Sequence, residues 1–448
     1  MDKLFLRSSW LVVLAACAGD EGATPSPMEP SAIVDAGRLD ARITEPVVAR
    51  DAAAPSERAD AQQGTTFSQH VAPILARACV SCHSQGQIAP FSLDGYELAK
   101  PFAKLAAKAA RSRSMPPSVV DNTGACNTFR DLPWLSEEEI STLERWADEG
   151  AEAGDPDMPM PAARELPRLT GDVRKIKTPS YTPSTAKPDD YRCFVVDSPV
   201  TETSFVTGYD THPGNTKVAH HMVVFYPMDD GSGLLARLLD ELDPQPGYDC
   251  YGAPGVPATT IVGWAPGGGA TVFPDHLGVE VAPTRPLIVQ MHYNTSGGGA
   301  IEPDSTEIEL KFEKDASPAA LMPMLDLEMN LPPGMPDAKE VVTRTFADRI
   351  PGRTEPVQIY GAFPHMHELG KNISVTIGDG DEESCLVDAP RYSFHWQRLY
   401  FLDKPVTVDA NTPIHVNCTF DTTSRKEVTS WGEGTQEEMC VAGLFVKL

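Results

Sequence analysis

The chain has 448 residues, 41% of them apolar and 22% charged, which is enough for roughly two to four domains with buried cores and excludes a disordered chain. Its net charge of −26 argues against a nucleic-acid partner, because a phosphate backbone is held by clusters of Lys and Arg; it suits a self-repelling exported protein or one that attracts a basic electron donor. Aromatic residues are scarce, whereas 41 Pro and 34 Gly fit frequent turns between short strands.

At the N-terminus, Lys3 and Arg7 precede an apolar run from Trp10 to Ala16, followed by Cys17. The run is too short to span a bilayer and has the charge-then-apolar layout of an export signal. Leu14-Ala15-Ala16-Cys17 resembles the lipobox of bacterial lipoproteins, in which the Cys is lipidated and becomes the new N-terminus. This implies a signal over 1–17, a lipid on Cys17 as the sole membrane attachment, and residence in the periplasm or at the cell surface. Ala18 after the Cys points to the outer membrane. Ordinary signal cleavage beside a chance Cys is the plainer alternative. Residues 18–64 are rich in Ala, Pro, Asp, Glu and Ser and read as a disordered tether.

Cys79-Val80-Ser81-Cys82-His83 is a C-x-x-C-H motif. Two thiols at this spacing form thioethers with the haem vinyl groups, and the adjacent His becomes the proximal iron ligand. A redox dithiol is the rival reading; the export signal and the immediate His favour covalent haem c. Phe67 to Ala78 and Asp94 to Arg111 show helical patterns. Met115, followed by Pro116 and Pro117, resembles the axial-Met loop of small cytochromes c, with Met158 and Met160 as weaker candidates. Ser136 to Glu139 is a capping box that opens a helix running to about Gly150. Together these predict a small all-α cytochrome c domain over 65–155, suited to moving single electrons.

Residues 156–187 read as a linker. Beyond it, short β-branched runs recur between Gly, Pro, Asp and Asn clusters: Cys193 to Val196, Val218 to Tyr226, Thr259 to Trp264, Leu287 to Tyr293, Glu307 to Phe312, Ile373 to Ile377, His415 to Phe420 and Val441 to Val446. This cadence predicts two all-β, jelly-roll-like sandwiches, over 188–325 and 326–448. Three His motifs lie on these strands. His365 and His367 are two residues apart, so a strand points both to one face and they can clamp one metal. His292 ends another apolar strand. His220 and His221 are adjacent and would point to opposite faces, so shared ligation requires a bulge, a twist or a strand end. Imidazole suits copper, zinc, iron or nickel, while a thioether partner favours Cu(I).

These motifs resemble the copper type II, ascorbate-dependent monooxygenases, the family of peptidylglycine α-hydroxylating monooxygenase and dopamine β-monooxygenase. The resemblance covers about 190 to 448 and implies two coppers. One would be held by His220, His221 and His292, and the other by His365, His367 and Met439. The second site would activate dioxygen and abstract hydrogen from a substrate C–H bond, and the first would store the second electron. The resemblance also implies disulfides Cys193–Cys250 and Cys418–Cys440, and a reductant such as ascorbate or a redox protein; the fused haem is a candidate donor or relay. In the peptide-processing members an Arg, an Asn and a Tyr hold the substrate carboxylate. Phe363, Val441 and Gly443 stand in those places here, so a small neutral or apolar organic substrate is expected beside dioxygen. A Cys that the family carries shortly after the His pair is missing; Tyr226 and Pro227 lie near there. Cys126 and Cys385 remain, either bridging the two parts or free. Glu368 and Lys371 are candidates to support the His pair. His70, His212, His276, His395 and His415 carry no motif. The alternatives are a non-catalytic electron-transfer or copper-binding lipoprotein, and a zinc hydrolase, against which Met439 argues.

Overall fold

The computed structural model describes residues 64–448 apart from 88, 166, 188, 265–268, 296–300, 351, 395 and 433–436. The signal, Cys17, nearly all of the tether and His395 lie outside these residues. Residues 62–448 form one compact unit. Among the described residues no helix is long and apolar enough to cross a membrane.

The helical module begins with a π turn, Phe67–Val71, that runs into α1 (Ala72–Ala78). The single helix expected over 94–111 is broken instead. Tyr96–Ala99 gives way to a 3-10 turn at Lys100–Phe102 and then to α2 (Ala103–Arg111). Pro101 sits at the break, where its missing N–H cannot continue the helical ladder. Helix α3 (Glu137–Asp148) starts at the expected capping box, with Ser136 Oγ accepting from Glu139 N at 3.1 Å and Glu139 Oε2 accepting from Ser136 N at 2.8 Å. Phe67, Val71, Leu75, Ile140, Leu143 and Trp146 close one small core. The segment between α2 and α3 departs from the single compact domain expected over 65–155. Val119, Val120 and Phe129 belong to the core of the C-terminal sandwich, and Cys126 is disulfide-bonded to Cys385.

The expected linker contains β1 (Asp172–Lys177). It was illegible because it is an edge strand with Ile176 alone buried, so no apolar alternation marks it. The strands that follow are β2 (Asp189–Val196), β3 (Ser204–His212), β4 (Ala219–Pro227), β5 (Ala258–Trp264), β6 (Leu277–Val281), β7 (Leu287–Asn294) and β8 (Glu307–Glu313). Strands β2, β7, β4 and β5 form one sheet with the short Tyr248–Asp249 strand at its edge. A helix over Asp230–Leu242, capped by Asp229 and not anticipated, follows β4; its Leu234, Leu238 and Leu242 are exposed, so no inward stripe announced it.

The C-terminal half supplies β9 (Ser317–Leu325), β10 (Ala338–Arg344), β11 (Val357–His365), β12 (Gly370–Ile377), β13 (Ser384–Ala389), β14 (Tyr400–Val408), β15 (Ile414–Phe420) and β16 (Val441–Lys447). Sheet β10-β15-β12-β13 packs over Met324, Ile359, Ala362, Leu444 and Val446 of a second sheet. That second sheet is continuous through both halves, in the order β1-β8-β3-β6-β9-β16-β11-β14. The boundary placed at 325/326 therefore cuts off a strand of the second sandwich. β9 pairs with β16 along Ala319–Leu325 and touches β6 only at Ser317 and Pro318. Tyr360, Phe401 and Phe445 point the other way, into the first sandwich's core, and bury β16 on both faces.

Candidate metal centres

The first centre is built on the paired strands β4 and β7. Ala219 is opposite Tyr293, and His221 is opposite His292, so the register slips at His220. This is the bulge that two adjacent His need in order to share a face. His220 Nδ1 lies 3.3 Å from His221 Nδ1, which lies 3.1 Å from His292 Nδ1. One ligand atom from each of the three falls within 4.8 Å of the others. Asp189, at the start of β2, accepts a hydrogen bond from His292 Nε2–H at 2.8 Å. That bond fixes the tautomer and turns the Nδ1 lone pair toward the other imidazoles. The same bond holds the Asp189 carboxyl below its usual range. Tyr191 stacks on the His292 ring at 4.2 Å. Burial, followed by the neighbouring imidazoles, holds His221 well below the usual His range, which favours the neutral ring with one nitrogen lone pair free. Asp189→Ala is expected to weaken any metal held by these three imidazoles about 10- to 100-fold, read by site-resolved metal titration, and to spare the other centre. Equal loss at both centres would refute the assignment.

The second centre lies where β11 ends and β12 begins: His365 closes the strand and His367 stands two residues beyond it in the connecting loop, so the pair does not share a strand face as expected. His365 and His367 flank Met366, whose side chain is fully buried. The Tyr392 hydroxyl grips both the N–H and the C=O of Met366. The two imidazole centroids are 5.2 Å apart. His365 Nδ1–H donates to Gln397 Oε1 at 2.5 Å and His367 Nδ1–H donates to the Glu437 carbonyl at 3.0 Å. Both rings therefore keep Nε2 for a metal. Burial, then His367, lowers His365 to about 3. Beneath the pair, fully buried Glu438 accepts from His367 N at 2.9 Å, Leu369 N at 2.6 Å and Met439 N at 3.4 Å. Those bonds favour the carboxylate, yet burial outweighs them and pushes the carboxyl up to about 7. Met439 is pinned next to Cys440, which is bridged to Cys418 on β15. Met439, His365 and His367 line one cavity of about 530 Å³ that also reaches His221 and Phe394.

Glu368 is exposed, and Lys371 Nζ is spent on Pro336 O and Asp337 at 2.9 and 2.7 Å, so neither supports the His pair. Gln397, Glu437 and Glu438 do so instead, as Asp189 does for His292 at the first centre. No motif marked them, because each reaches its partner only through sheet register or a distant loop. Phe363, stacked 5.9 Å from His365, lines the cavity together with Val441 and Gly443. Of the remaining His, His70 bonds Thr66, His276 pairs with Glu313, and His415 bridges Thr343 and Asp379. His212 gathers with the partly buried Asp210 and Glu309 in an ion-pair network that includes Lys175.

In the helical module, Cys79 and Cys82 are unbridged and half-buried. The backbone N–H groups of Cys82 and His83 both donate to Cys79 O, at 3.1 and 2.8 Å. Burial pushes the Cys79 thiol up to about 12 and raises Cys82 as well, opposite to the low value a reactive dithiol needs. His83 Nδ1–H donates to Phe91 O at 3.2 Å, which leaves Nε2 for iron, and Phe91 stacks on Phe102. Two thiols, an oriented imidazole and an aromatic wall fit a covalent haem. Met115 is 38% exposed, whereas Met160 packs against the helical core. Disulfides join Cys193 to Cys250, Cys418 to Cys440 and Cys126 to Cys385.

Residues 175–298 match the family described as copper type II ascorbate-dependent monooxygenase, N-terminal domain, and residues 315–445 match its C-terminal domain. The chain is 25% identical over 249 residues to DBH-like monooxygenase protein 1 of Gallus gallus, covering 51% of this chain and 39% of that protein. Dopamine beta-hydroxylase of Rattus norvegicus is 27% identical over 248 residues, at 51% and 38% coverage. Tyramine beta-hydroxylase of Caenorhabditis briggsae is 24% identical over 250 residues, at 52% and 40%. The chain thus spans about two-fifths of the length of the curated relatives it matches.

Proposed function

Because the chain belongs to the copper type II ascorbate-dependent monooxygenase family through residues 175–298 and 315–445, we propose that it hydroxylates a substrate C–H bond with dioxygen and two single electrons. One observation carries this reading: two histidine centres with different donor sets open onto a single apolar cavity. His220, His221 and His292 would hold one copper and His365, His367 and Met439 the other. Copper bound there supplies one-electron transfer and dioxygen activation. The protein's part is orientation and exclusion of water. Asp189, Gln397 and the Glu437 carbonyl set the tautomers, and Glu438 holds the backbone on both sides of the second centre.

The substrate is a small neutral or apolar molecule. Phe363, Val441 and Gly443 replace the carboxylate clamp, and Met222, Ile261, Leu321 and Phe445 extend the apolar lining. The thioether of Met439 fits copper better than the zinc of a hydrolase.

Cys79, Cys82 and His83 would carry a haem c that feeds electrons toward the copper centres, itself recharged by ascorbate or a redox protein. Met115 is the proposed sixth ligand, with Met160 as a second candidate because it packs on the helical core. Replacing the true ligand by Ala should lower the haem potential, and replacing the other should leave it unchanged. The protein works outside the cytoplasm, lipid-anchored through Cys17. The three disulfides support the location outside the cytoplasm, since such bonds persist in oxidising compartments; the anchor rests on the Leu14–Cys17 motif alone.

The deciding experiment is the copper-to-iron ratio of protein matured with haem, supplied with copper and freed of loose metal, followed by oxygen uptake with candidate substrates. A ratio near two with substrate-dependent uptake is expected. Zinc or nothing in place of copper would reject the reading, and copper without uptake would favour a carrier. Copper at about 100 times its dissociation constant should also stabilise the fold by about 2.7 kcal/mol per site, seen as a raised Tm that a chelator reverses.

A further inference from the structure

The connection between β13 and β14 touches both histidine centres. Phe394 places its ring centroid 6.0 Å from that of His367 and 6.3, 6.5 and 6.4 Å from those of His220, His221 and His292. The ring is therefore shared between the two centres, on the wall of the cavity they have in common. Gln397 of the same connection bonds His365, and its Tyr392 grips the backbone of Met366.

The strands on either side of this connection are held from outside by the arm between α2 and α3. Asp121 N donates to Asp388 O at 2.7 Å, and Asn127 Nδ2 donates to the carbonyls of Cys385 and Leu386 at 3.1 and 3.0 Å. Arg130 N donates to Phe401 O at 2.8 Å, and Asp403 N donates to Thr128 O at 2.9 Å. Phe129 packs edge-on against Tyr400, at 5.9 Å. Cys126–Cys385 makes this attachment covalent across a sequence separation of 259. The helical module is thus built into the wall that carries Phe394.

We propose that Phe394, presented by a connection that the helical module's arm staples in place through Cys126–Cys385, is a positioning residue that fills the gap between the two histidine centres and keeps water out of it. The inference rests on the two-copper reading above. Water in that gap would solvate both metals and give reduced oxygen a way out; an apolar ring denies it that space. The staple prevents the connection from swinging away, so the electron-carrying module and the chemistry share one rigid element.

The test is the relaxation rate of bulk water protons in the presence of the full chain loaded with Cu(II), which rises as water reaches the metals. Phe394→Ala should raise the copper-induced rate at least about twofold, and Phe394→Leu less, with copper content unchanged. The double variant Cys126→Ser/Cys385→Ser, and the milder Asn127→Leu, should raise it as well although both lie away from the metals. Unchanged relaxation in both Phe394 variants overturns the gap role. A rise in those variants but in neither arm variant overturns the staple. Wild-type protein that holds fewer than two coppers overturns the parent reading instead.

Discussion

Met439→Ala is expected to abolish substrate-dependent oxygen uptake, by at least about 10³-fold, while the haem spectrum and copper at the His220/His221/His292 centre stay intact. Met439 offers the only thioether proposed for either copper site, and a soft sulfur donor stabilises the reduced metal that must meet oxygen. Removing it leaves two imidazoles, a weaker and harder set. The fold should survive. Met439 is only partly buried and faces the cavity, and the Cys418–Cys440 disulfide and the bonds to Glu438 hold the backbone around it. Full turnover in this variant would sink the ligand set; a molten or unfolded variant would show that Met439 is structural.

The second large effect is expected at Glu438. Glu438→Ala orphans the N–H groups of His367 and Leu369, both strongly held, and removes the longer contact to Met439 N as well. A buried donor left unpaired costs about 1–3 kcal/mol, so roughly 2–6 kcal/mol of stability should be lost. Copper at the second centre should go with it, because both sides of the site hang on this one carboxyl group. Glu438→Gln is a sharper probe. It preserves size and one acceptor but brings an amide NH2 against a backbone N–H, donor facing donor. Its stability loss should be smaller than that of the Ala variant, with copper still selectively weakened at the His365/His367/Met439 centre. Denaturant titration and site-resolved metal binding measure both. A Glu438→Ala protein as stable as the wild type, with both coppers bound, would show that the three hydrogen bonds do not support the site.

Much of the architecture was legible in the linear chain. The β-branched runs read from it lie on strands, with Val218 just ahead of β4, because a strand's pattern is local and its ends are marked by Gly, Pro and Asp, whereas β3, β6, β9, β10, β13 and β14 correspond to none of these runs. The capping box at Ser136 was legible for the same reason. What escaped depends on partners. β1 is an edge strand with one buried side chain. The helix Asp230–Leu242 turns leucines outward. The break at Pro101 lies in the 3-10 turn Lys100–Phe102, which the Ala-, Leu- and Lys-rich pattern around it masked. The boundary between the sandwiches could not be placed, because β9 pairs with β16 near the chain's end and so shares one sheet between the halves.

The candidate sites divide in the same way. The sequence alone determined which atoms are available as ligands: the His pairs, Met439 and the C-x-x-C-H motif, whose chemistry resides in residue type and short spacing. It also determined the condition under which His220 and His221 can cooperate, since alternation along a strand is a local rule. Only the tertiary structure decided that the condition is met, by the bulge against His292. It also brought in the groups that orient the ligands, Asp189 103 residues from His292, Gln397 32 from His365, and Glu438 71 from His367. It joined Cys126 to Cys385, which local spacing left open. Such partners come from sheet register and loop packing, which depend on the whole chain folding at once and leave no periodic trace in the residues that happen to meet.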